Sequence, residues 1–246
     1  MKMMRHLPLF RLCLPVALCS AVAFGQYKAE PAGAPPSDLA PAIAKALQPD
    51  GTKISKGGAP YLEIWFRADK PAGAKSAEEG VTLPNIAQGA LLAVIHFDGK
   101  GSDRRGQAIK PGTYTLRYSL IPTNGDHQGA APQRDFVLMS PAADDKDPAA
   151  APSFEALVDM SKKASGTGHP AVMSIWKADD AKTGLSQQGD DWVLQTKVGD
   201  TPIGNLSLTL GAHEIVFRHP ELGEQRHAAT VTLNSPARLS VDLRKK

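Results

Sequence analysis

The sequence predicts a mainly β protein, an antiparallel β-sandwich of immunoglobulin-like or jelly-roll-like type with one or two short helices and a small C-terminal β module. Three observations carry this. Runs of β-branched and aromatic residues with period-two alternation recur along the chain, bounded by Gly, Pro, Asn and Asp. Glycine and proline are frequent, 22 and 20 of 246 residues, which favours many turns over long helices. Hydrophobic residues make up 42% of the chain, enough to build a core. Short strands at this spacing point to antiparallel pairing in a sandwich and away from a parallel α/β sheet.

Residues 1–25 form an export signal. Lys2 and Arg5 give a basic start, an apolar stretch runs from Leu7 to Phe24, and small residues follow. Cleavage fits after Gly25, through Ala23-Phe24-Gly25, with Ala21-Val22-Ala23 as a second option. Arg11 and Pro15 interrupt the segment, so its unbroken apolar part is shorter than the ~20 residues a spanning helix needs. Leu18 before Cys19 is bulkier than a lipid-modification site wants. No later stretch is long and apolar enough to span a bilayer, so the mature chain is expected to have no transmembrane span and to reside in the periplasm or outside the cell. Removing the signal changes the electrostatics. The formal net charge of +3 is carried by its three basic residues, leaving 25 basic against 25 acidic side chains. A neutral mature chain argues against nucleic acid as a partner, because that needs an excess of Lys and Arg on one face. Both cysteines, Cys13 and Cys19, leave as well, and with them any disulfide, thiolate nucleophile or Cys-containing zinc cluster.

Residues 26–36, rich in Pro, Ala and Gly without periodicity, read as a flexible linker. Residues 37–194 then form the sandwich. Ser37 caps a short helix that places Leu39, Ile43 and Leu47 on one side. Strands are expected at Tyr61–Arg67, Ala90–Phe97, Gly112–Leu120, Arg134–Met139, Ala171–Trp176 and Trp192–Lys197, and further on at Asn205–Leu210, Glu214–Arg218, Ala228–Leu233 and Arg238–Leu243. A helix opens at Pro152-Ser153 and closes at Gly166, with Phe154, Leu157, Val158 and Ser161 as its inner stripe. Asp144, Asp145 and Asp147, clustered between prolines, lack the spaced oxygen ligands of a calcium loop and read as a solvated connection. Trp65, Trp176 and Trp192 sit among apolar neighbours in expected strands and read as core.

Gly112-Thr-Tyr-Thr-Leu-Arg-Tyr118 and Gly211-Ala-His-Glu-Ile-Val-Phe217 share one grammar: a turn glycine, then alternate side chains directed to one face. In the second region, Thr201-Pro202-Ile203-Gly204, Leu210-Gly211-Ala212-His213, His219-Pro220-Glu221-Leu222-Gly223, Val231-Thr232-Leu233 and Leu239-Ser-Val-Asp-Leu243 follow in order. Together they resemble the PEGA domain, a small surface-associated β module of bacterial envelope proteins, and place such a module at residues 195–246. Leu210 stands where many members have proline, and the module's first strand has to come from Val193–Val198. Residues 37–200 also resemble an uncharacterised family of exported bacterial proteins, through Gly112–Tyr118, Asn124–Gly129, Arg134-Asp-Phe136 and His169-Pro170. That resemblance implies no activity.

Candidate chemistry is sparse. His96 and Asp98, at i and i+2 on one strand, face the same way and are candidate metal ligands; the bland alternative is a strand end entering the Gly99-Lys100-Gly101 turn. Asp126 beside His127, with Arg134 close behind, is a candidate ligand-binding set, although Asn124-Gly125-Asp126 is ordinary turn chemistry. No Gly-x-Ser-x-Gly elbow or phosphate loop is present, so no catalytic residue and no cofactor is expected. The expectation is a non-enzymatic exported protein, a binding or structural component of the bacterial cell envelope whose partners are envelope proteins or surface polysaccharide. A periplasmic small-ligand or metal binder is the alternative, and a hydrolase with a site assembled from distant loops is third.

Overall fold

A computed structural model describes residues 27–71, 73, 76, 78–123, 134–179, 182–188, 191–208, 213–219 and 223–229, with side chains as far as Ile203. The export signal, Asp126, His127 and the expected strand at Arg238–Leu243 lie outside the described residues.

The chain is mainly β. Its strands are β1 (Tyr27–Gly33), β2 (Gly51–Lys56), β3 (Ala59–Phe66), β4 (Leu91–Phe97), β5 (Gly101–Ser102), β6 (Ala108–Ile109), β7 (Gly112–Leu120), β8 (Asp135–Pro141) and β9 (Ala171–Ser174), followed by β10 (Trp176–Lys177), β11 (Gly184–Gln188), β12 (Asp191–Val198), β13 (Thr201–Leu208), β14 (His213–His219) and β15 (Gly223–Ala229). Helix α1 (Pro41–Ala46) follows β1, and helix α2 (Phe154–Ser165) joins β8 to β9. The larger sheet has seven strands in the order β1-β2-β3-β4-β7-β8-β9, a meander in which every pair is antiparallel. A second sheet, β10-β13-β12-β11, packs against it, and β14 pairs with β15.

The period-two grammar decides which face is core. From β7, Tyr114, Leu116 and Tyr118 point between the sheets, joined by Ile64 and Phe66 of β3, Ile95 and Phe97 of β4, Val137 and Met139 of β8, and Leu194, Val198 and Ile203 from the second sheet. The opposite face is covered by helices. Ile43 of α1, with Leu39 and Leu47 beside it, packs on Trp65, Leu91 and Val94, and Leu157 of α2 packs on Phe136, Leu138 and Val172. Helix α2 starts and stops as its sequence dictates: the Ser153 hydroxyl accepts from the Ala156 N–H, and Gly166 ends the helix in the left-handed region at φ 66°.

Four readings of the sequence are corrected. The segment expected to be a linker contains β1, hydrogen-bonded to β2 and anchored by the buried ring of Tyr27; an edge strand needs only backbone pairing and one apolar anchor, so its composition does not announce it. Ser37 is not a helix cap, because α1 begins at Pro41 after Ala40. The run Ala171–Trp176 divides at Ile175, β9 staying in the large sheet while β10 crosses to the second. Finally, the 142–150 connection is not simply solvated: Asp145 is buried. The expected boundary at residues 194/195 falls inside β12, which pairs with both β11 and β13.

Candidate functional site

The helices leave part of the outer sheet face open. There, register aligns a polar row across five strands: Glu30 beside Lys53, Lys53 beside Glu63, Glu63 beside His96, and His96 beside Thr113. Lys53 and Glu63 form an ion pair at 3.5 Å. His96 lies at the end of β4, two residues beyond Val94 on the same face. Its Nδ1 is 2.9 Å from the Thr113 hydroxyl and its Nε2 is 3.4 Å from Asp98 Oδ1. The i, i+2 spacing therefore does bring His96 and Asp98 together, and register adds Thr113, which no local pattern could reveal.

These three groups lie in hydroxyl–imidazole–carboxylate order, an order that nucleophilic catalysis also uses. Here they sit on an open sheet face, with the Asp98 side chain 52% exposed, so water is not excluded and the contact is well screened. The arrangement can hold a proton or hydrogen-bond a ligand. Among the described residues, no group of three or more His, Asp or Glu side chains is placed to hold a metal ion.

Arg134 is elsewhere. It precedes β8, donating from Nε and Nη2 to the Ile121 carbonyl, from Nη1 to the Glu79 carbonyl, and from Nη2 to Glu78 at 2.7 Å. It clamps the 78–80 turn onto the end of β7. Thr113, the second residue of β7, and Ile121, just past its end, are eight residues apart and hence about 26 Å at strand rise, so His96 with Asp98 and Arg134 occupy opposite ends of the sheet.

The ionisable groups that sequence reasoning missed are buried and serve the scaffold. On the outer face of β7, Thr115, Arg117 and Ser119 are buried where alternation alone suggests solvent. All five N–H groups of Arg117 are used. Nε and Nη2 form a fork on Asp145 at 2.6 and 2.7 Å, Nη2 also donates to the Asp147 carbonyl, and Nη1 donates to the carbonyls of Gly89 and Ala150 at 2.7 Å each. Asp145 further accepts from Thr115 at 2.6 Å. Gly89 can present its carbonyl this way because it has φ 80°, and a Cβ there would come within 2.6 Å of the Pro152 carbonyl oxygen.

Three other buried carboxylates behave alike. Asp135 accepts from the Thr82 and Leu83 N–H groups and from the Tyr118 hydroxyl at 2.7 Å; burial first, then this carboxylate, pushes the Tyr118 hydroxyl pKa up. Asp103 accepts from the Arg105, Gln107 and Val172 N–H groups and from the Gln107 side chain. Asp191 takes Nη1 of Arg104 on both oxygens at 3.0 Å, tying the β5–β6 hairpin to β12. No short-range signal marks Asp135 and Asp191, because their partners lie on other elements; Asp103 combines local partners at Arg105 and Gln107 with the distant Val172.

An aromatic cluster closes one end of the sandwich. Tyr27 lies 5.7 Å from Tyr61 and 5.9 Å from Trp192, Tyr61 is 5.9 Å from Phe97, and the Lys56 ammonium stands 5.4 Å from the Tyr27 ring centre. Burial pushes the Tyr27 hydroxyl up to about 12. Trp65 is core as expected and donates to the Gly33 carbonyl at 2.7 Å.

Compared with family models, with curated proteins and with solved structures, the chain finds no match in any of the three. The class that fold and site define is thus an antiparallel β-sandwich with a surface histidine–aspartate pair.

Proposed function

We propose that this protein is a non-enzymatic exported component of the bacterial cell envelope, binding or structural in role, with residues 195–246 forming a PEGA-like module that engages envelope proteins or surface polysaccharide. One observation carries the non-enzymatic part: the buried acids and bases with described partners are turned onto the scaffold's own loops. Arg117 with Asp145, Asp135 with Tyr118, Asp103 with the Val172 N–H and Arg104 with Asp191 each join segments apart in the sequence. Arg117, with all five N–H groups committed, holds geometry and has no donor left for a substrate. Export rests on the basic, apolar and small-residue sequence of residues 1–25. Among the described residues, no helix is long and apolar enough to cross a membrane.

Fractionation of an expressing host tests the reading. A chain processed near Gly25 and recovered with peptidoglycan or membrane proteins supports it; recovery only as free protein overturns the envelope role. The His96–Asp98 contact favours a second reading, a periplasmic small-ligand or metal binder. Titrating chelator-treated protein with zinc then gives stoichiometric binding that His96→Ala abolishes, and equal heats for both proteins dismiss it.

A further inference from the structure

Strand β1 is the edge of the seven-stranded sheet, and Lys28, Ala29, Glu30 and Pro31 are all exposed on it, whereas all four residues of β9 at the other edge are buried. Among the described residues no strand or helix covers this edge, which presents a row of backbone donors and acceptors to a further strand. Lys28 and Glu30 share the face of the polar row, which runs Thr113, His96, Glu63, Lys53, Glu30 and stops at this edge. The charged members of the row alternate in sign, and the next strand has to offer a cation to continue it.

We propose that a second copy of this chain supplies that strand, β1 pairing antiparallel with β1 of its partner about a two-fold axis through Ala29. In that register Lys28 stands opposite Glu30 of the other copy and Glu30 opposite Lys28, giving two opposite-charge cross-strand pairs by symmetry. Lys28 takes the place that the alternating row leaves vacant beyond Glu30. On the other face Ala29 meets Ala29, and Tyr27 stands opposite Pro31, so two exposed small apolar residues on the core side of β1 are covered. A lone lysine on an edge blunts it against pairing; the opposite charges at positions 28 and 30 instead make this edge complementary to itself, and Pro31, which has no N–H to donate, stands at the end of the paired stretch. Self-association of this kind does not depend on where the protein resides.

Sedimentation equilibrium on the full chain, as processed by an exporting host, tests the pairing. The wild-type protein is expected to sediment as a dimer, and Lys28→Glu and Glu30→Lys to weaken association by about tenfold or more each, since each change creates two like-charge contacts. Mixing the two variants in equal amounts restores dimers, because positions 28 and 30 are then both acidic in one copy and both basic in the other. Circular dichroism and thermal melting of each variant confirm that it is folded. A wild-type chain that stays monomeric up to about 1 mM, a dimer that both variants leave at wild-type strength, or a mixture that remains monomeric overturns the proposal.

Discussion

At the β9 edge of the large sheet, backbone groups are met one by one: the Ser161 hydroxyl accepts from the Ala171 N–H and donates to the Ala171 carbonyl, the Asp103 carboxylate accepts from the Val172 N–H, and the Arg104 N–H donates to the Val172 carbonyl at 2.8 Å. At the β1 edge the chain instead shows exposed Lys28, Glu30 and Pro31 to water. A sheet edge has to be covered, charged or paired, and this molecule covers one and charges the other. Covering buries polar side chains, which then must be fully paired to be tolerated. Charging costs almost nothing in the folded chain and leaves the edge available. Errors at the two edges should therefore differ greatly in consequence.

The largest effect is expected where the covered edge relies on a buried ion pair. Asp191→Ala removes the carboxylate facing a guanidinium that is itself buried, and is expected to cost about 3–5 kcal/mol of unfolding free energy in urea titrations. A loss below about 1 kcal/mol would show that the β5–β6 hairpin is not held by this contact. Ser161→Ala is next. It leaves both backbone groups of Ala171 without the hydroxyl, at a cost of about 1–3 kcal/mol, and faster amide exchange at Ala171 is the residue-level readout.

How far the sequence foretold this arrangement depends on range. Strand β7 and helix α2 were legible because their signals are local: Gly112 followed by alternating Tyr114, Leu116 and Tyr118, and Ser153 and Gly166 as caps. Strands β1 and β11 were not, since Lys28, Glu30, Gln187 and Gln188 have no apolar period, and backbone pairing at an edge requires none. The burial of Arg117 was not legible for the opposite reason. Its place in the alternation assigns it to solvent, and only the 142–150 connection, brought over it by Asp145, buries it. At the candidate site, the approach of His96 to Asp98 follows from i, i+2 geometry, while Thr113 enters through the β4–β7 register.

Smaller effects sharpen the comparison at the β1 side. The Tyr27 hydroxyl is buried with no hydrogen-bond partner among the described residues. Tyr27→Phe keeps the ring and removes that burden, so a gain of about 1 kcal/mol is expected. The pH dependence has a definite sign. A phenol raised from 10.0 to about 12 in the folded state binds its proton more tightly there than in the unfolded chain. Its contribution is fully present below pH 10 and is lost as pH rises through 12. Tyr27→Phe should flatten this alkaline fall in melting temperature, and an unchanged slope between pH 10 and 12 would move the effect to the other buried tyrosines.

The smallest effect is also the one that separates the two edges most clearly. Lys28→Ala and Glu30→Ala remove exposed charges whose cross-strand neighbours among the described residues are Ser55 for the first and Lys53 for the second. Measured at concentrations low enough to keep the protein monomeric, each should change stability by less than about 0.5 kcal/mol. The contrast with Asp191→Ala then rests on location and not on charge type, since both edges use charged side chains. A cost above about 1 kcal/mol for either exposed variant in the monomer would mean that β1 is held to β2 by its side chains, and the charges at this edge would be part of the fold and not a surface left open for a partner.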